Sequence, residues 1–197
     1  MLNTTISPAI RQRAYNGVFA LVIINLIIYL LDHPLGLPLQ GLYLNHASPQ
    51  WYQFITAMFC HASWTHLSGN LFMLYVFGRL VEDEEGIVGV VSSYLITGLA
   101  ANVLSLILQP IPIVSLGASG AVFGLFVVSV LIRLQWSWRR LVEVIILGQF
   151  VVSQVLNEIQ QVGVADGVNR IAHLGGALAG VLLIVGLRRL TANLDAK

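Results

Sequence analysis

The chain has 197 residues, 57% of them hydrophobic and only 10% charged, with a mean hydropathy of +0.82 and a formal net charge of +1. Soluble domains carry about 25% charged residues. Here the few charges are also segregated, since residues 86–132 and 171–187 contain none. A soluble globular domain, a disordered chain and a nucleic-acid binder with a basic face are excluded, and the single cysteine, Cys60, leaves neither an internal disulfide nor a cysteine-based zinc site. An integral membrane protein remains.

A helix needs about 20 mostly apolar residues to cross the hydrocarbon. In chain order, segments near 14–31, 66–81, 87–108, 115–133, 141–158 and 170–187 meet or approach that requirement. Arg11 and Arg13 precede the first, but Asp32-His33-Pro34 follows it in place of an Ala-x-Ala cleavage pattern, so it reads as a retained anchor. The next stretch is polar, contains Pro and Gly, and carries Trp51, Tyr52 and Phe54, which suit the membrane interface. Glu82–Gly86 is a charged stop, and Gln109-Pro110-Ile111-Pro112 divides the long uncharged run. Trp136–Arg140 pairs aromatics with cations, and Val162–Val168 is a short loop. The expected fold is all-α: a polytopic bundle of six transmembrane helices over 14–188, with short tails at 1–13 and 189–197. No internal repeat and no second domain are evident.

Six spans place Arg11, Arg13, Arg79, Arg133, Arg139, Arg140, Arg188, Arg189 and Lys197 on one side and only Arg170 on the other. The positive-inside rule makes the first side cytoplasmic, with both termini there. His33, His46, His61, His66 and His173 then all fall on or near the outer side. Ser119 at the start of the fourth span, His173 at the start of the sixth, and His66 with Asn70 at the start of the second share a comparable depth. Polar groups there are costly unless they meet a partner or water.

Gly120 and Gly124, and Gly176 and Gly180, are each four residues apart, which lets helix backbones approach closely. His173 shares a helical face with Gly176 and Gly180. If the two glycine faces pack, His173 meets Ser119, giving a serine activated by an imidazole. His66 and Asn70, on one face at i and i+4, could donate to an oxyanion. Each signal alone has a plainer explanation: a membrane serine usually bonds its own backbone, and glycine pairs are usually packing devices. His33 and His46 read as packing residues. Cys60-His61 with His66 lacks the His-Glu-x-x-His pattern and the embedded carboxylates of a metal site. No metal or cofactor is expected.

His66-Leu-Ser-Gly-Asn70, Gly117-Ala-Ser119-Gly120 and Ala172-His173-Leu-Gly-Gly176-Ala-Leu-Ala-Gly180, in that order, resemble the rhomboid intramembrane serine proteases over about residues 50–187. The resemblance implies Ser119 as nucleophile and His173 as general base and then acid, with an oxyanion hole from the Ser119 N–H, His66 and Asn70. It makes His61 structural and places Phe123 against the imidazole. The implied substrates are single-pass or polytopic membrane proteins, cut near the outer end of a transmembrane helix that enters sideways from the bilayer. The fifth span and the loop near 160–169 are implied as gate and cap. Tyr52-Gln53 stands where many members carry Trp-Arg. Only about 13 residues precede the first span and there is no seventh helix, so the minimal form, commonest in bacteria, is expected. That places it in a bacterial cytoplasmic membrane with the site opening outward. Glu158 and Asp166 lie near that side, but no third, carboxylate member of the dyad is expected. The alternatives are a non-catalytic relative that binds membrane proteins and, further off, a small-solute transporter. The retained Ser119, His173, His66 and Asn70 argue against the first, and the absence of repeats against the second.

Overall fold

The computed structural model describes residues 15–109, 112–134 and 137–195. The expected tail at 1–13, Pro110-Ile111, Trp136 and Lys197 lie outside them. The principal helices are α1 (Asn16–Asp32), a short α2 (Gln53–Thr56), α3 (Trp64–Leu108), α4 (Ser119–Ile132), α5 (Trp138–Gln160) and α6 (Arg170–Asp195). By length and apolar composition, α3, α5 and α6 can each cross a membrane, while α1 and α4 are shorter apolar helices.

The 45 residues of α3 are helical except at Gly86, where φ is +71° and ψ −172°. Side chains rarely adopt that conformation, and glycine does so without steric cost. The chain reverses there. Along the first arm, Trp64 faces Tyr29, Tyr75 faces Phe19 and Gly78 abuts Val18, so this arm runs antiparallel to α1. Along the second arm, Val90 abuts Gly17 and the Tyr94 hydroxyl meets Asn25, so it runs back parallel to α1. The expected charged stop is therefore a helical turn ending at Gly86, and its Glu82 is buried rather than solvated. The Glu82 carboxylate accepts from the Gly17 and Val18 amides at 2.9 and 2.8 Å, satisfying the orphan donors at the start of α1.

Helix α4 begins at Ser119, not near 115. Val114–Ser115 forms a two-residue antiparallel strand with Leu44–Asn45, which pins the segment before the helix to the first loop. Most of α4 is buried, and it packs mainly against α3 and α6. By contrast, only Val151 and Glu158 of α5 are buried. Large apolar side chains such as Val88, Ile107, Ile145, Ile146 and Leu182 point outward. A lipid-facing surface accounts for such an apolar exterior.

Small residues set the helix separations. A Cβ added at Gly176 would lie 1.9 Å from the Gly120 carbonyl oxygen, and one at Gly180 would lie 2.7 Å from that of Gly124. The face carrying His173, Gly176 and Gly180 therefore packs against α4, as the spacing predicts.

Candidate active site

The Gly120–Gly176 crossing joins the first turn of α4 to the first turns of α6, bringing His173 Nε2 to 2.7 Å from Ser119 Oγ. Phe123, one turn beyond Ser119, stacks on the imidazole with centroids 4.6 Å apart and planes 8° from parallel. The ring is thus held by a hydrogen bond at one edge and a flat aromatic contact on its face.

Gly117 approaches this pair with φ +129°, and a Cβ there would fall within 2.8 Å of the His66 ring. Only a residue without a side chain lets the loop pass His66 so closely. The Ala62 amide donates to His66 Nδ1 at 3.4 Å, which leaves the proton on Nε2, at the Gly117 side of the ring. Ser63 caps α3 by accepting from the His66 amide at 3.1 Å. His66, Asn70, Ser119, Phe123 and His173 all line one cavity of about 630 Å³. His61 is fully buried beneath it, its Nε2 accepting from the Ala118 amide at 3.4 Å, so it supports the residue before Ser119. Burial, with His66 beside it, pushes the His61 imidazole down to about 3. His33 donates to the His61 carbonyl at 2.7 Å, and His46 bonds Ser115 at 3.0 Å; neither lines the cavity.

Three residues outside the expected set shape the site. Asn169 accepts from the Ala172 amide at the start of α6 and donates to Ser105 and Ser115, joining α6 to α3 and the strand. Arg170, buried, grips Asp166 through both carboxylate oxygens and donates to Gln161 at 2.7 Å, so it ties down the loop after α5. That guanidinium holds the Asp166 carboxyl well below the usual carboxylate range. The third is Glu158, whose Oε2 lies 3.1 Å from His173 Nδ1. No third, carboxylate member of the dyad is expected from the sequence; the structure sets this carboxylate within ion-pair distance of the imidazole. The carboxylate reaches it because α5 and α6 pack together at the loop that joins them, a proximity no helical periodicity encodes. An Asx cap at Asn169 was the one signal readable in advance.

Among the described residues, no three His, Cys, Asp or Glu side chains converge to hold a metal ion. A serine, an imidazole and hydrogen-bond donors around one cavity can carry out acyl transfer.

Residues 48–190 match the family model described as the Rhomboid domain. The chain is 52% identical over 184 residues to Rhomboid-like protein 11, chloroplastic, of Arabidopsis thaliana, covering 88% of this chain and 66% of that protein. It is 31% identical over 148 residues to Putative rhomboid protease YdcA of Bacillus subtilis (strain 168), covering 73% and 70%. With Rhomboid protease AarA of Providencia stuartii it shares 24% identity over 196 residues, covering 84% and 70%. This chain belongs to the rhomboid family, whose members are intramembrane serine proteases. It spans just under two thirds of the length of the chloroplastic relative. Similarity to a chloroplastic protein leaves the expected bacterial cytoplasmic membrane without support; a membrane-spanning family is what stands.

Proposed function

We propose that this chain is an intramembrane serine endopeptidase that cuts membrane-protein substrates at or near the outer end of a transmembrane helix. The observation that carries this reading is the 2.7 Å contact between His173 Nε2 and Ser119 Oγ inside the cavity. The Ser119 Oγ attacks the scissile carbonyl carbon as its proton passes to His173 Nε2. The oxyanion so formed takes hydrogen bonds from the Ser119 amide, His66 Nε2 and the Asn70 side chain. The Ser119 amide belongs to the first turn of α4, where helical N–H groups lack intrahelical partners and the dipole favours an anion. The C–N bond then breaks, the Nε2 proton goes to the leaving amine, and an ester to Ser119 remains. Water hydrolyses the ester by the same route in reverse, its proton passing through His173 back to Ser119 Oγ.

Read as six crossings (α1, both arms of α3, α4, α5 and α6), the chain would have both termini on the cation-rich side and the cavity on the opposite side, a reading supported by the cation distribution. At 14 residues, α4 is about 21 Å long, shorter than the roughly 30 Å hydrocarbon, so Ser119 starts below the membrane surface. The sparse burial of α5 favours that helix as the substrate's side entrance.

The test is labelling of purified protein with a fluorophosphonate, beside Ser119→Ala and His173→Ala, together with cleavage of a membrane-protein substrate. Labelling at Ser119 that both substitutions abolish, with the melting temperature retained, is the expected result. A wild-type protein unreactive at Ser119, or turnover by either variant at the wild-type rate, rejects the dyad.

A further inference from the structure

Phe123 fixes the plane of the His173 ring, and Ser119 occupies its Nε2 edge. The opposite edge, Nδ1, must then face α5, and there it meets Glu158 Oε2 at 3.1 Å. Both atoms are sealed from solvent, and neither makes a hydrogen bond of ordinary geometry, to the other or to any other described group. At 3.1 Å the pair is in contact without being an aligned hydrogen bond, and the last torsion of a glutamate is broad enough for the carboxylate to turn toward the ring. The charged and titratable groups around the ring are few. Glu158 comes from α5, Arg170 lies one turn back on α6, and His66 faces it across the cavity from α3. Arg170 Nε lies 3.9 Å from the same Glu158 oxygen, while its terminal nitrogens are engaged by Asp166 and Gln161. The buried carboxylate is therefore balanced by a cation without being drawn off the imidazole.

We propose that Glu158 is a positioning residue for the dyad. Its carboxylate accepts from His173 Nδ1–H, holds the tautomer that leaves Nε2 free for the Ser119 proton, and stabilises the imidazolium formed when that proton arrives. The Nδ1 proton stays on the ring throughout, and the carboxylate is not protonated; the proton taken from Ser119 leaves through Nε2 to the amine. The sparse packing of α5 adds a consequence. The group orienting the base rides on the least embedded of the long helices, so outward movement of α5 removes it.

This inference rests on the proposed Ser119–His173 chemistry, and the experiment separates the two. The rate of fluorophosphonate labelling at Ser119 is measured from pH 5 to 9 for wild type, Glu158→Gln and Glu143→Gln. Glu158→Gln is expected to slow labelling by about 10- to 100-fold and to move the acidic midpoint down by about one pH unit, because the imidazolium loses its anionic partner. Glu143→Gln, which removes a carboxylate from the other end of the same helix, where it pairs with Arg133 and Arg140, should leave the midpoint in place. A merely structural Glu158 would lower the melting temperature without moving the midpoint. If Glu158→Gln does not fold, 15N-histidine NMR of the wild type decides, with His173 assigned by difference from His173→Ala. The Nδ1–H tautomer is expected, and the Nε2–H tautomer overturns the proposal. Unreactive wild-type protein defeats the dyad itself. Reactive wild type with an unchanged Glu158→Gln profile defeats this inference alone.

Discussion

Adding one methyl group at Gly176 tests how the site is assembled. The Cβ of Gly176→Ala would lie 1.9 Å from the Gly120 carbonyl oxygen and 2.7 Å from its carbon, whereas ordinary contact begins near 3.4 Å. Both atoms are backbone, so no rotamer change relieves the overlap; α4 and α6 must part by about 1.5 Å at this level. Gly120 directly follows Ser119, so the proposed nucleophile moves with it. A displacement of about 1 Å at a catalytic group can cost about 10²-fold, and overpacking typically costs about 1–3 kcal/mol. Gly176→Ala should therefore reduce both Ser119 labelling and substrate cleavage by about 10²-fold or more, with a lower melting temperature. Gly180→Ala, whose closest contact is 2.7 Å, should be milder. Gly186→Ala on the same helix meets nothing within 4 Å and should be neutral or slightly stabilising through helix propensity. Labelling kinetics and thermal melts of the three variants are the assay. Wild-type labelling and stability in Gly176→Ala would refute the close α4–α6 crossing as the device that brings Ser119 to His173.

Other outcomes follow from the same contacts. His66→Ala and Asn70→Ala should each lower kcat by up to about 10²–10³-fold without abolishing labelling, the usual cost of losing one oxyanion donor; unchanged kcat in both would remove them from that role. Phe123→Leu gives up the flat contact on His173, worth about 0.5–1.5 kcal/mol, so kcat should fall by up to about tenfold with KM little changed. The buried His61 imidazole titrates near 3, whereas in the unfolded chain it takes up its proton near 6.5. Stability from this residue is thus fully present above about pH 6.5 and falls as the pH drops toward 3, by about 1.4 kcal/mol at pH 5.5. Melting of wild type and His61→Gln across pH 7.5 to 5.5 checks this: the wild type should lose stability more steeply, and parallel curves would contradict it.

Whatever is local and periodic about this protein was legible in its residues. Hydropathy is a running sum along the chain, so the membrane class and the apolar segments needed no tertiary knowledge. The spacing of His173, Gly176 and Gly180 fixes one helical face whatever surrounds it, because 3.6 residues per turn is a property of the backbone. Glycines with nothing to bury on that face leave close packing as their use, and Ser119 beside Gly120 does the rest. The boundaries were less legible. Residues 115–118 are as apolar as a helix, yet Ser115 is drawn into a strand with Leu44–Asn45, and Gly117 turns past His66 with its amide donating to the Ala57 carbonyl. Glu82 reads as a solvated stop, but α1 needs an acceptor for its first amides, and the reversal at Gly86 delivers one. Glu158 and Arg170 are the clearest case. Each is a charged residue near a helix end, where exposure to water or headgroups is the ordinary expectation. Only the packing of α5 against α6, which depends on how the 161–169 loop folds around Arg170, turns that pair inward to the imidazole. Contacts between helices joined by a loop depend on its path and on which faces find partners, and neither is written in the period of either helix.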